Sequence, residues 1–250
     1  MDDMQSQSFI EHLIDLKKCV VNILIIVVLG FCACIYFSEQ IFEYIRAPIL
    51  PYLGNVGGLV FTAPVDKFMA YLKVSFMAGA IITCPLWLYQ IWNFIAPGLY
   101  KHEKKLAALF IFVGSVLFIL GVLFVYKIVY PMAFKYLLTF GSEVDKPMIT
   151  ISEYLGFFIT TTLLFGAAFE MPLVIVVLAM LGIIDDQFLR EKRRVAIMVI
   201  AVISALITPP DAVSMLAMLA PMLLLYELSI LVVKYMVKKR QSTAEQGLTL

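Results

Sequence analysis

Long apolar runs occupy most of this sequence. The first of them, residues 20–37, holds 18 residues without a charged side chain. A helix needs about 20 apolar residues to cross the roughly 30 Å of bilayer hydrocarbon. The chain is 62% hydrophobic and 15% charged, whereas soluble domains are about 45–50% apolar and about 25% charged. These features exclude a soluble globular domain and predict an all-α integral membrane protein.

We predict one membrane domain, residues 1–240, with a flexible cytoplasmic tail at 241–250. It contains six transmembrane helices, with spans of about 20–37, 68–95, 106–126, 154–184, 195–207 and 212–233. Residues 8–18 carry apolar side chains at helical spacing, which predicts a short interfacial helix before the first span. Pro85 is expected to bend the second span. The fifth and sixth helices look short, and either local bilayer thinning or packing inside the bundle would accommodate them.

The distribution of positive charge predicts the orientation. Six spans place both termini on one side, and 13 of the 19 lysines and arginines fall on that side. The other side holds six: Arg46, Lys67, Lys73, Lys127, Lys135 and Lys146. Because cytoplasmic loops of membrane proteins are enriched in lysine and arginine, both termini are predicted to be cytoplasmic.

One predicted cytoplasmic loop carries an unusual mixture of side chains. Residues 94–105 read FIAPGLYKHEKK, so that Glu103 is flanked by lysines and lies close to a Pro97-Gly98 bend. Phe94 and Tyr100 add aromatic edges. An acid held in a basic and aromatic setting indicates a docking surface for a cationic ligand.

Two carboxylates fall inside predicted spans. Glu170 lies near the centre of the fourth, where a charge costs on the order of 3 kcal/mol and must face protein or trapped water. Its functional interpretation is a polar site for a substrate or partner, and the alternative is a structural carboxyl hydrogen-bonded between helices. Glu227, in the sixth span, either faces Glu170 or extends towards the cytoplasmic surface.

The sequence lacks the patterns of the common catalytic sites. His102-Glu103 begins like the zinc motif H-E-x-x-H, but position 106 is leucine. Cys32 and Cys34 are interpreted as small apolar residues rather than a metal or redox pair. We expect no enzyme activity, no metal and no cofactor. Asp211 is expected to cap the sixth helix, and Pro48 to set a turn.

Four motifs together resemble the TatC family, the multi-spanning receptors of the twin-arginine protein translocase. Residues 94–103 resemble its F-I-x-P-x-L-Y-x-x-E signature, 168–172 (AFEMP) its F-E-x-P, 208–211 (TPPD, with Pro209, Pro210 and Asp211) its T-P-P-D, and Ala47-Pro48 its first periplasmic loop. The motifs occur in the family's order and extend over essentially the whole chain.

The resemblance implies a bacterial cytoplasmic-membrane receptor for the twin-arginine signal peptides of folded precursors. It further implies TatA- and TatB-type single-span partners, a homo-oligomer within the receptor complex and dependence on the proton-motive force. Glu103 matches the family's loop glutamate. The family pattern L-x-E-L-R reads LIDLK at 13–17, so Asp15 replaces the glutamate, and Lys17 lacks arginine's bidentate geometry. Phe94 and Tyr100 would add apolar contact.

A proton-coupled small-molecule transporter that uses Glu170 is the alternative from another functional class. It predicts transport by the chain alone. A purely structural membrane scaffold predicts instead that Glu103 and Glu170 can both be replaced by alanine without effect. No nucleic acid is expected to bind.

Overall fold

The computed structural model describes residues 9–53, 58–98, 107–139, 148–208 and 212–247, and α-helices account for most of them. The helices are α1 Phe9–Cys34, α2 Ser38–Arg46, α3 Asp66–Ile82, α4 Cys84–Ile95, α5 Ala107–Phe124, α6 Tyr130–Thr139, α7 Ile151–Phe169, α8 Met171–Met180, α9 Asp186–Glu191, α10 Arg193–Ile207 and α11 Ala212–Gly247. Within these ranges, β-type pairing is limited to one bridge between Val60 and Thr150. The prediction of an all-α protein is confirmed.

Apolar helices long enough to span a membrane occur at four places: Leu13–Arg46, Ala107–Leu138, Ile151–Met180 and Ser214–Tyr235. Helices α3 and α4 meet the same test together, but they are bent by 57° at Thr83. Pro85 lies in the first turn of α4, where its missing N–H is tolerated. The predicted bend of the second span is therefore present.

The described residues form two compact units, which divide after Gly166. In the first unit, α1 packs against α3 and α4, and α4 packs against α5. The closest approach is between Gly30 and Gly79, where a Cβ atom built on Gly79 would lie 2.5 Å from the backbone nitrogen of Phe31. Small residues allow membrane helices to pack backbone to backbone, and these two glycines set the distance between α1 and α3.

Aromatic side chains join α6 to α7. The ring of Tyr130 stacks on Phe158 at 4.4 Å between centroids and on Phe134 at 5.7 Å. Its buried hydroxyl donates to the carbonyl oxygen of Phe158 at 2.7 Å and lies 2.7 Å from the hydroxyl of Thr162. The phenol is thus both packed and hydrogen-bonded, as a buried tyrosine requires.

Two segments outside the predicted spans are hydrogen-bonded to each other. The N–H of Val60 donates to the carbonyl of Ile149 at 3.0 Å, and the N–H of Ile151 donates to the carbonyl of Val60 at 2.8 Å. The Ser152 hydroxyl donates to the Asp66 carboxylate at 3.3 Å. These bonds bring the N-terminal ends of α3 and α7 together.

Two helix boundaries differ from the prediction. Helix α1 runs without a break from Phe9 to Cys34, so no separate interfacial helix is present, because no proline or glycine interrupts residues 9–29. The third span does not end near Lys127. A π-helical turn, Val125–Val129, leads into α6 and places Pro131 in that helix's first turn, where proline is compatible with a helix.

The second unit contains α8 to α11, with α11 packed against α8, α9 and α10. Helix α8 is closed by Gly182, whose φ of 74° favours glycine, and by the N–H of Ile183 donating to the carbonyl of Leu178 at 2.9 Å. Helix α9 is capped by Asp185, whose carboxylate accepts from the N–H of Phe188 at 2.7 Å.

The predicted fifth span coincides with α10, which has 15 residues and a length of about 22 Å. The predicted sixth span, 212–233, nearly coincides with the apolar part of α11, Ser214–Tyr235, which has 22 residues within a helix of 36. Helix α11 continues to Gly247, so most of the predicted tail is helical. The count of six spans, the cytoplasmic termini and the flexibility of residues 241–250 stay predictions.

Candidate functional site

Asp15 lies on an exposed part of α1. Its carboxylate is 3.7 Å from the Lys18 ammonium, and the side chains are 39% and 70% exposed, respectively. An exposed ion pair of this kind contributes at most about 1 kcal/mol, so the carboxylate remains available to another cation. Lys17 is exposed beside it.

Asp15 and Phe94 each lie four residues beyond the point where α1 is hydrogen-bonded to α4. Gly30 on α1 meets Gly79 on α3. Eleven residues before Gly30, the Cys19 thiol donates to the carbonyl of Gln90 on α4, which lies eleven residues after Gly79. Continued for four residues, about 6 Å along each helix, the same register would set Asp15 level with Phe94.

A second hydrogen bond supports this register. The Asn22 amide donates to the Gln90 side-chain oxygen at 3.3 Å, so Gln90 is held by α1 through both its backbone and its side chain. Phe94, four residues further along α4, is half-buried. Asp15 and Phe94, two of the residues assigned from the sequence to one ligand site, thus each lie about one helical turn beyond the contact of α1 with Gln90.

Both ends of the 96–106 loop are anchored. Trp92, on α4, is buried and its ring lies 4.6 Å from that of Phe110 on α5. Pro97 is exposed in a 3₁₀ turn, Ala96–Gly98, that follows α4. Tyr100 and Glu103 lie outside the described residues, so their placement in this site stays a prediction.

Glu170 lies at the break between α7 and α8. It is 8% exposed, and neither of its carboxylate oxygens has a hydrogen-bond partner among the described residues. Its backbone N–H donates to the carbonyl of Ala167 at 3.1 Å, and Pro172 follows in the first turn of α8. The structural alternative required hydrogen bonds between helices, and the part of the chain described here supplies none to this side chain.

Glu227 has a partner that the sequence did not indicate. Its carboxylate accepts from the Arg193 guanidinium at 2.8 Å, with both side chains 48% exposed. The neighbouring Tyr226 hydroxyl donates to the carbonyl of Leu189 at 2.7 Å. These bonds fasten α11 to α9 and to the start of α10. Arg193 belongs to the basic segment 190–194, which was visible in the sequence, but the sequence did not indicate that Arg193 pairs with Glu227.

The sequence also assigned structural roles to Pro48, Pro209, Pro210 and Asp211. Pro48 is half-buried in the turn after α2. Pro209, Pro210 and Asp211 lie outside the described residues, between the end of α10 and the start of α11. No group of three His, Cys, Asp or Glu side chains is arranged to hold a metal within the described ranges.

Comparison with known proteins gives consistent matches along the whole chain. The family described as "Sec-independent protein translocase protein (TatC)" matches residues 11–221. The Helicobacter pylori (strain J99) protein of that name is 40% identical over 223 residues, with 89% of this chain and 87% of the relative aligned. The Escherichia coli K12 protein is 34% identical over 240 residues, with 96% and 93% aligned.

Solved structures match as well. A crystal structure titled "Twin Arginine Translocase Receptor- TatC" aligns with a TM-score of 0.78 and 37% identity, and the alignment extends over 90% of this chain and 99% of that one. A second crystal structure of that receptor, in the detergent DDM, gives a TM-score of 0.79 at 36% identity.

Proposed function

The chain belongs to the TatC family of Sec-independent protein translocase proteins, and from that premise we propose that it binds twin-arginine signal peptides at Glu103 and Asp15, beside Phe94. It is a multi-pass component of the bacterial cytoplasmic membrane. The family match gives no support to the small-molecule transporter.

The observation that carries this proposal is the register of α1 against α4. Gln90 is hydrogen-bonded to α1 through its backbone and its side chain, and this register, continued for four residues, would set Asp15 level with Phe94, where the 96–106 loop begins. Glu103 lies eight residues after Ile95, the last residue of α4, within reach of the same region. Two carboxylates contributed by two segments suit a ligand with two adjacent cationic groups.

Guanidinium chemistry supports the same choice. A carboxylate accepts two parallel N–H bonds from one guanidinium, which lysine cannot reproduce. Lys17 and Lys18 lie beside Asp15, so the carboxylate already lies in a basic setting, and a bidentate ligand would displace the weak Lys18 pair. Phe94 and Tyr100 would cover the apolar side of the bound peptide.

The partners follow from the same premise. TatA- and TatB-type single-span subunits would join a homo-oligomer of this chain in a receptor complex that moves folded precursors by the proton-motive force. Glu170 is buried and has no hydrogen-bond partner within the described ranges, so it is a candidate contact for a polar group of a partner helix or of the signal peptide, since a carboxylate in hydrocarbon needs such a group.

Photo-crosslinking in membranes tests the receptor site. A photoreactive residue replaces Phe94, and a twin-arginine precursor is compared with one carrying two lysines. We expect crosslinks that require the arginine pair and that fall by about tenfold with Glu103→Gln and with Asp15→Asn, the loss expected for one charge-assisted bond. Glu191→Gln, at an exposed carboxylate on α9, is the matched control and should leave the crosslinks unchanged.

The opposite pattern would refute the proposal. Crosslinks that are indifferent to the arginine pair and to both carboxylates, or that fall equally with Glu191→Gln, would remove the site from 94–103 and Asp15. Substrate uptake by the purified chain alone would then direct attention to Glu170.

A further inference from the structure

One lysine of the first unit lies in an apolar groove at the membrane boundary. Lys73 is exposed on α3, seven residues after the start of that helix at Asp66, which corresponds to about 10 Å of depth. The groove has a volume of about 460 Å³. Its walls come from α1, α3 and α7: Phe31, Leu72, Phe76, Gly156, Ile159 and Thr160.

All of these residues lie in the half of their helical segments where α3 and α7 begin and α1 ends. Phe31 is three residues from the end of α1, and Gly156 and Thr160 are in the first three turns of α7. The groove therefore opens at the level where lipid headgroups meet hydrocarbon. Lysine at that depth extends its ammonium towards the boundary while its methylene stem stays in the apolar wall.

Lys73 forms no ion pair among the residues that the structure describes, so its charge is not balanced by that part of the chain. The other wall residues are apolar, apart from the Thr160 hydroxyl. An ionisable side chain in a span marks a binding site when its partner is missing. The missing partner here is an anion that also brings an apolar tail.

We propose that this groove binds an anionic phospholipid, with the phosphodiester on the Lys73 ammonium and the Thr160 hydroxyl and one acyl chain along Phe31 and Phe76. One lysine beside apolar walls matches the anionic head and the acyl chain of a single lipid. An acyl chain bends to fit and gains about 0.8 kcal/mol for each methylene that it buries.

Two substitutions separate the two parts of the site. Lys73→Gln removes the charge. Gly156→Leu fills the groove without touching the charge, because a Cβ atom on Gly156 would meet nothing within 4 Å. Lys73→Arg keeps the charge. The matched control is Lys67→Gln, since Lys67 is an exposed lysine near the same boundary, 5.8 Å above the Tyr71 ring.

Native mass spectrometry of the purified full chain, titrated with phosphatidylglycerol, measures the binding. We expect Lys73→Gln and Gly156→Leu each to weaken it by about tenfold, and Lys73→Arg and Lys67→Gln to stay within about twofold of the unchanged chain. Neither phosphatidylcholine nor inorganic phosphate should compete at equal concentration. Unchanged thermal melting of each variant confirms that the fold is kept.

Several results would overturn the proposal. If Lys67→Gln and Lys73→Gln weaken lipid binding equally, the binding depends on general surface charge and not on Lys73. If Gly156→Leu binds phosphatidylglycerol with full affinity, the acyl chain does not lie in the groove, and the groove would be open to a partner helix instead. Competition by inorganic phosphate would reduce the site to free-anion binding, and equal binding of phosphatidylcholine would remove the preference for an anionic lipid.

Discussion

The contact between Gly30 and Gly79 makes a quantitative prediction. Gly79→Ala and Gly156→Ala are the same chemical change in two helices of one unit. A Cβ atom on Gly79 would lie 2.5 Å from the nitrogen of Phe31 and 2.7 Å from the carbonyl carbon of Gly30. A Cβ atom on Gly156 would meet nothing within 4 Å. The two substitutions should therefore change stability in opposite directions.

The magnitude follows from two terms. Replacing glycine by alanine in a helix interior gains about 1 kcal/mol at either position, so Gly156→Ala should stabilise by about that amount. At Gly79 the obstructing atoms belong to the backbone and cannot rotate away, and overpacking of this kind costs up to about 3 kcal/mol. The net loss at Gly79 is about 2 kcal/mol. Comparing the variants cancels the helix-propensity term, and about 3 kcal/mol should separate them.

Reversible unfolding in mixed micelles with increasing SDS measures this difference. Trp87 and Trp92, the chain's two tryptophans, lie on α4 in the same unit and report unfolding by fluorescence. Trp87 donates to the carbonyl of Ala80 at 3.0 Å, so its signal is sensitive to the bend between α3 and α4.

A free energy of unfolding for Gly79→Ala that equals or exceeds that of Gly156→Ala would refute the reasoning. It would mean that α1 and α3 are not held together at this glycine contact. The register that places Asp15 level with Phe94 would then lose one of its two supports.

Two further predictions concern hydrogen bonds of the first unit. Tyr130→Phe should lower the free energy of unfolding by about 1 kcal/mol. Adding Thr162→Val should lower it little further, because both substitutions remove the bond that the two hydroxyls share. Additive losses in a double-mutant cycle would contradict this. The backbone N–H groups of Ala63 and Thr62 hold the pKa of the Asp66 carboxyl, which precedes the predicted second span, below its usual range. This stabilisation is present above the unfolded-state pKa and is lost as the pH falls through the lower folded-state pKa. Asp66→Asn should therefore lose stability at neutral pH and show a flatter acid dependence in pH-resolved melting, whereas an unchanged acid limb would contradict the assignment.

Features that depend on local composition could be predicted from the sequence. Apolar runs predicted the membrane helices, and Pro85 predicted the bend in the second span. The break near Glu170 follows from Pro172, because proline begins α8 after the helix is interrupted. The physical cause in each case lies within a few residues of the effect.

Features that depend on distant residues could not be predicted. Arg193 and Glu227 are 34 residues apart, and nothing in the local pattern pairs them. The third helix continues beyond Lys127 because a π-helical turn accommodates the chain before Pro131, which no composition rule identifies. The hydrogen bonds between α1 and Gln90 also join distant residues, and the signal-peptide site at Asp15, Phe94, Tyr100 and Glu103 stays a prediction.

The hydrogen bonds of Val60 to Ile149 and Ile151 also determine whether the chain between these residues crosses the membrane an even or an odd number of times. Bonded residues lie on the same side of a membrane, so the chain between 60 and 149 crosses it an even number of times. If the apolar helix Ala107–Leu138 crosses once, the bent pair α3–α4 supplies the other crossing. A re-entrant hairpin at Thr83 would return the chain to its starting side and would leave Val60 and Ile149 on opposite sides, where they could not be hydrogen-bonded.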